Sequence, residues 1–207
     1  MVVFIIIIFV VAIIALVVAR LLNLDLRGVM ELLKDIWGYI ITGLVVIIFF
    51  VFVITVQPVA GNSMYPVLEE GDVIVCSKLL FNRNNIKRNQ IVVLKAKDNK
   101  SFVKRVIGLP GEKIHYLNGR LYIDDRPYDE TFLDKDTVTN NFMFEDICSI
   151  DDCPNGVIPD DMFLVMGDNR PNSEDSRTKE FGLVPRKNIK GGLMFRLWPI
   201  TKFGTVE

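Results

Sequence analysis

The chain has 207 residues, half of them hydrophobic, with 24 Lys plus Arg against 25 Asp plus Glu. That balance leaves no basic footprint for nucleic acid, and an ordinary 14 Gly and 9 Pro exclude collagen-like and low-complexity chains. A single histidine, His115, excludes a site built from several imidazoles, and three cysteines are too few for a dense disulfide scaffold.

Met1 to Ala19 runs 19 residues without a charged or polar side chain, and Ile36 to Gln57 runs 22 without a charge. A helix of about 20 apolar residues crosses the hydrocarbon core, so both stretches, 1–19 and 36–57, read as transmembrane helices. A cleavable leader fits the first stretch badly: it has no basic start and no small-x-small site before Arg20. The segment 20–35 carries Arg20, Arg27 and Lys34, which makes it a cytoplasmic loop by the positive-inside rule. The N-terminus and everything from 58 onward then lie outside. Trp37 and Tyr39 sit where interfacial aromatics belong.

From 58 to 207 the pattern is short strands and turns. Asp72–Ser77, Ile91–Leu94, Phe102–Ile107 and Met162–Met166 are β-rich runs of strand length. Ile114–Leu117 and Leu121–Ile123 flank Asn118-Gly119, the favoured pair for a type I′ hairpin turn. Gly108-Leu109-Pro110-Gly111 reads as a turn. The stretch 129–161 is acidic and irregular; it reads as a loop-rich insertion lying away from any chemistry. The outer part is therefore a mainly β domain.

Three segments carry candidate chemistry. Gly61-Asn62-Ser63-Met64-Tyr65-Pro66 holds a serine in a tight turn, which taken alone is a structural residue. In Phe102-Val103-Lys104-Arg105-Val106-Ile107-Gly108, strand alternation puts Lys104 on one face with Phe102 and Val106, and Arg105 on the other with Val103 and Ile107. If both faces are buried, one cation must enter apolar surroundings. Arginine cannot give up its proton there; lysine can. A neutral lysine near a serine can activate it as a nucleophile. Alternatively the lysine stem packs while its head reaches water. The third segment, Gly167 to Arg177, is dense in Asp, Asn, Ser and Arg. It reads either as a solvated polar loop or as a source of hydrogen bonds that orient a buried amine.

These segments, in this order, resemble the type I signal peptidases, the membrane-bound Ser–Lys leader peptidases of bacteria. Gly61 to Leu68 followed by Gly71-Asp72 looks like the nucleophile box. Lys104 to Glu112 looks like the lysine box, and Gly167 to Arg177 the C-terminal box. Phe181-Gly182-Leu183-Val184-Pro185 and Arg196-Leu197-Trp198-Pro199 also fit. The likeness covers about 36–200. It implies an antiparallel, coiled-sheet signal-peptidase-like fold, with Ser63 as nucleophile, Lys104 as general base and Ser173 holding the lysine amine. Asp168, Asp175, Arg105 and Arg177 would be supports. The oxyanion hole would use the Ser63 backbone N–H; where some members carry a hydroxyl donor two residues earlier, this chain has Gly61. Endoplasmic-reticulum relatives carry histidine in place of the lysine, so the likeness is to the bacterial type. Two spans instead of one is a known variation.

The same resemblance implies endoproteolysis of secretory preproteins after small-x-small motifs, with no cofactor and no metal. It implies a multi-pass protein of the bacterial plasma membrane with its catalytic domain on the extracytoplasmic side. Its partners would be preprotein signal peptides and the lipid bilayer, near the protein translocation machinery, and not nucleic acid. Two other readings compete with it. A catalytically idle relative acting as an assembly or chaperone factor should have lost Ser63 or Lys104, and a self-cleaving repressor should carry a DNA-binding motif at its N-terminus. Elsewhere, His115 reads as a plain strand histidine and Cys76 as a small buried residue. For Cys148 and Cys153 the sequence leaves open whether they form a local disulfide, and no other ligand cluster favours a zinc pair. Met64, Tyr65 and Leu79-Leu80-Phe81 read either as core or as a patch resting on the bilayer.

Overall fold

The computed structural model describes residues 26–207, except 80, 96–100, 135, 150, 154 and 207, together with 11, 13, 14, 17, 18 and 20. The expected first span, 1–19, therefore falls mostly outside the described residues, as does Leu80. The chain divides into two compact units, Met1–Phe50 and Val51–Glu207.

Helix α1 spans Leu26–Val53, all but its last three residues in the first unit. Its start takes in residues 26–35, where a connecting loop was expected: Leu, Met, Glu and Lys are good helix formers and no proline interrupts them. The uncharged side chains of α1 from Ile36 to Phe49 are exposed, as are Met30 and Phe52, while Val53 at the helix end is buried. Counted on the described residues, no helix is long and apolar enough to cross a membrane.

The helix stops at Val53, before the end of the second apolar stretch. Ile54–Pro58 is instead strand β1, rich in β-branched residues and paired antiparallel with β2, Val73–Ser77. Eight further strands follow: β3 (Ile91–Lys95), β4 (Ser101–Gly108), β5 (Ile114–Leu117), β6 (Arg120–Ile123), β7 (Arg126–Tyr128), β8 (Met162–Met166), β9 (Val184–Pro185) and β10 (Ile189–Trp198). Among the described residues they form a seven-stranded sheet ordered β1-β2-β10-β3-β4-β8-β9 and a three-stranded sheet β5-β6-β7. All pairings are antiparallel. The hairpin turn at Asn118-Gly119 has positive φ at both residues, 51° and 74°, as a type I′ turn requires.

Strand β4 positions the site. Its C-terminal half lies between β3 and β8, with Arg105 facing Ile91 on one side and Met166 on the other. Val106 enters a core cluster with Val92, Leu94 and Val165. Ile107 enters another with Ile114, Leu164 and Met166. The strand is thus buried on both faces from Lys104 onward. Its first residues, Ser101–Lys104, pair with β3 alone; on the β8 side the described pairing begins only at Arg105.

The 129–161 segment is loop-rich, with one short helix, α2 (Phe144–Ile147), and a Cys148–Cys153 disulfide. It is not merely a solvated excursion. Phe142, Phe144, Ile147 and Ile158 are buried in the same cluster as Ile107 and Leu164. The apolar residues near Ser63 divide between the two readings. Met64 is buried in a cluster with Leu68, Ile74 and Val93; Phe81 packs against the Val92 cluster. Tyr65 and Leu79 are exposed.

Candidate active site

Ser63 lies in the turn that follows β1, entered through Gly61 at φ +79°, a backbone conformation that glycine adopts without steric cost. Asp72 anchors the far end of the turn segment. It accepts from the Glu69 N–H (3.0 Å) and from Arg196 Nη1 (2.7 Å), so the strand β10 arginine and the Gly71-Asp72 pair form one buried ion pair. Among the described residues, neither Ser63 Oγ nor the Ser63 N–H makes a hydrogen bond.

Both adjacent cations of β4 are buried, Lys104 at 1% and Arg105 at 2% exposure. They are treated differently. Arg105 meets Asp168 in a two-pronged ion pair, Nε to Oδ1 at 2.9 Å and Nη2 to Oδ2 at 2.7 Å, and donates Nη1 to the Asn89 carbonyl. Its guanidinium also lies 4.2 Å from the centre of the Phe132 ring. Lys104 has no such carboxylate. Its Nζ donates to Ser173 Oγ at 3.0 Å. Burial pushes the Lys104 amine down to about 8; Asp175, Glu174 and Asp168 oppose that shift and Arg177 adds to it.

Ser173 in turn donates to Asp175 Oδ2 over 2.6 Å. Asp175 is fully buried and also accepts from the Gly167 N–H (2.9 Å) and from Arg177 Nε (2.8 Å) and Nη2 (2.9 Å). Burial alone would raise its carboxyl, but the Arg177 bonds outweigh it and hold it below the ordinary aspartate range. Arg177 also donates Nη2 to the Arg170 carbonyl at 2.6 Å.

Gly167 joins the serine turn to the lysine. A Cβ there would collide with both Ser173 Oγ and the Ser63 carbonyl. Asn169 ties the same two segments: its N–H donates to the Ser63 carbonyl (3.0 Å) and its side-chain amide to the Asn62 carbonyl (2.9 Å). The structure therefore brings Ser63, Lys104, Arg105, Asp168, Ser173, Asp175 and Arg177 into one continuous network. His115 lies in the β5–β6 hairpin, stacked on Tyr122. Burial pushes the Cys76 thiol up to about 12, leaving it protonated and inert.

Sequence reasoning missed Arg170, Glu130 and Thr139. Arg170 is buried, donating Nε to the Gly167 carbonyl (3.1 Å) and Nη1 to Glu130 (3.0 Å) and Thr139 Oγ1 (3.1 Å). The insertion, expected to stand apart from the chemistry, reaches the site loop through this arginine. Arg170 was visible as one of several polar residues in the loop. Nothing local signals its partner forty residues earlier.

A mainly antiparallel β domain thus buries Lys104 against Ser173 and ties the Ser173 loop to the Ser63 turn. Comparison with known proteins supplies the class. The family model described as "Signal peptidase, peptidase S26" matches residues 29–198, and the chain belongs to this family. It is 36% identical to Signal peptidase IB of Staphylococcus aureus over 182 residues, covering 84% of this chain and 93% of that protein. It is 37% identical to Signal peptidase I of Bacillus caldolyticus over 175 residues, covering 81% and 92%. The crystal structure of a signal peptidase I from Enterococcus faecalis matches 53% of this chain and 97% of its own, at 31% identity and a TM-score of 0.45.

Proposed function

We propose that this chain removes N-terminal signal peptides from secreted preproteins, with Ser63 as nucleophile and Lys104 as general base. The observation that carries the reading is the buried Lys104 amine. It is held by one serine hydroxyl, has no direct carboxylate partner among the described residues, and is linked to the Ser63 turn through Gly167. An amine poised near 8 is partly neutral at physiological pH and can accept a proton.

In the proposed reaction, neutral Lys104 takes the hydroxyl proton as Ser63 Oγ attacks the scissile carbonyl carbon. The resulting oxyanion receives the Ser63 N–H, which has no other acceptor among the described residues. Collapse breaks the C–N bond, and the Lys104 ammonium returns the proton to the leaving amine of the mature protein. Water, deprotonated by Lys104, then hydrolyses the acyl ester and frees the signal peptide as a carboxylate. Asp168 and Arg105 brace the strand and loop, while Asp175 and Arg177 hold Ser173 against the amine. The side of Ser101–Lys104 away from β3 offers an edge to which an extended substrate can add as a strand, its alternate small side chains entering shallow pockets.

Membrane anchoring is part of the proposal. It rests on the two uncharged stretches, 1–19 and 36–57, and on the exposed Ile, Leu, Val and Phe side chains of α1. The β domain would lie on the extracytoplasmic face, where preproteins emerge near the translocation machinery. Cleavage of a purified preprotein by the full chain tests the function. Ser63→Ala and Lys104→Ala should each abolish product; retained cleavage by either variant would sink the mechanism.

A further inference from the structure

We propose that the 129–161 insertion is a positioning element of the site, with Glu130 and Thr139 holding Arg170 so that the Gly167–Arg177 loop keeps Ser173 against Lys104. The proposal rests on the Ser63–Lys104 reading and extends it to a part of the chain that carries none of the family's boxes.

The geometry is a clamp in which Arg170 meets four partners, two on the insertion side and two on the site side. On the insertion side, Glu130 takes both terminal nitrogens of Arg170, and Thr139 Oγ1 takes a second bond from Nη1. On the site side, Arg170 Nε donates to the Gly167 carbonyl, and Arg177 donates to the Arg170 carbonyl. Gly167 is also the residue whose N–H reaches Asp175 and where a Cβ would run into Ser173 and the Ser63 carbonyl. A buried arginine fork paired with a nearly buried carboxylate has few alternative arrangements, because either partner left alone would be an uncompensated buried charge. Arg170 thus fixes the peptide unit from which the lysine's holder hangs. The insertion is itself rigid where it matters, since Phe142, Phe144 and Ile147 are buried in the core beneath it.

Loosening the clamp should admit water to the Lys104 amine. The charged groups acting on that amine are Asp175, Arg177, Glu174 and Asp168 from the loop. Arg105 is its neighbour on β4, already paired with Asp168. None of them is removed by changing Glu130 or Thr139; the Glu130 variants also unpair the Arg170 cation, which opposes a rise, whereas Thr139→Val changes no charge, so its shift reports hydration and loop position. Desolvation lowers a lysine pKa, so hydration raises it.

The test compares full-length Glu130→Ala, Glu130→Gln and Thr139→Val with wild type, measuring kcat and KM for a signal-peptide substrate from about pH 6 to 10. Nitrogen-15 lysine NMR of Lys104, recorded in a Ser63→Ala background, reads the same titration without turnover. Glu130→Ala should lower kcat about tenfold with KM within about twofold, the signature of displaced catalytic groups. The acid limb of the profile and the NMR titration should both move up by about half a unit or more. Thr139→Val should shift both in the same direction by less, and Glu130→Gln should fall between wild type and Glu130→Ala. Asp161→Asn, which breaks the exposed Asp161–Arg186 pair of the same insertion, should leave both readouts unchanged. An unmoved Lys104 titration in the folded variants overturns the proposal, as does a fall in kcat that tracks lost thermal stability alone. If Glu130→Ala does not fold, Glu130→Gln and Thr139→Val decide by the same criteria. Should the Ser63→Ala variant turn over substrate, the functional reading fails while the NMR titration still decides the clamp.

Discussion

The backbone N–H of Asn169 donates to the carbonyl of Ser63 over 3.0 Å, joining residues more than a hundred positions apart. With the Asn169 side chain on Asn62 and Gly167 pressed against the same carbonyl, it sets the serine turn and the lysine-holding loop in one register. The proposed nucleophile and its proposed base come from separate segments, so their alignment depends on such crosslinks.

Gly167→Ala should therefore be among the most damaging single-methyl changes in the chain. Its Cβ has no free direction, since Ser173 Oγ, Ser173 Cβ and the Ser63 carbonyl already occupy the space. We expect kcat to fall about a hundredfold, the scale of an ångström-size misplacement. Stability should drop by about 1–3 kcal/mol, as in other overpacked sites. Steady-state cleavage and urea unfolding of the same preparation would check both, and a variant with wild-type kcat would contradict the close approach.

The depressed amine of Lys104 makes two pH predictions. Cleavage should fall as pH drops below about 8, roughly tenfold per unit, because the base must be neutral. Stability has the opposite starting point from an ion-paired lysine. Between about 8 and the ordinary 10.5, the unfolded chain binds the proton and the folded chain does not, so stability rises with pH across that window. Below about 8 the burial penalty is fully present. The increment, on the order of 3 kcal/mol over the window, should vanish in Lys104→Met, which denaturant titrations at pH 7.5 and 10 would show.

Arg105 and Asp168 form a buried two-pronged pair, at 2% and 1% side-chain exposure. Asp168→Ala should cost about 3–5 kcal/mol because it strands the Arg105 charge. The double variant Arg105→Met with Asp168→Leu should recover much of that loss, since replacing both ions with apolar groups removes the stranded charge. Chemical unfolding of the three variants decides; equal losses in the single and double variants would mean that packing, and not charge, is what matters there.

Much of the β framework could be read in the sequence because its cues are local. The Asn118-Gly119 hairpin and the Met162–Met166 strand follow from alternation and turn chemistry, whereas the two-sided burial of β4 is left open by its sequence and is decided by its neighbours. The end of α1 did not follow. Ile54 to Gln57 is as free of charge as the helix from Ile36 onward, and only pairing with Val73–Ser77 makes it strand. The same limit applies at the site. Resemblance of the three boxes singled out Ser63, Lys104 and Ser173, and the structure brings their segments together. Yet the Asp72–Arg196 and Glu130–Arg170 pairs span long stretches of chain, and no periodicity encodes them.

Asp175 carries a consequence for the direction of the whole hydrogen-bond relay. Its two oxygens take donors from Gly167, Ser173 and Arg177, filling about the four lone-pair sites a carboxylate offers. The Ser173 hydrogen is thereby committed to Asp175, and Ser173 can face Lys104 only with a lone pair. It must receive a hydrogen from the amine and has none to give. In the neutral lysine this leaves the nitrogen's own electron pair unclaimed by its holder. The relay thus has a polarity: hydrogens run from Lys104 through Ser173 to Asp175, and the basic end of the amine stays open to an incoming hydroxyl.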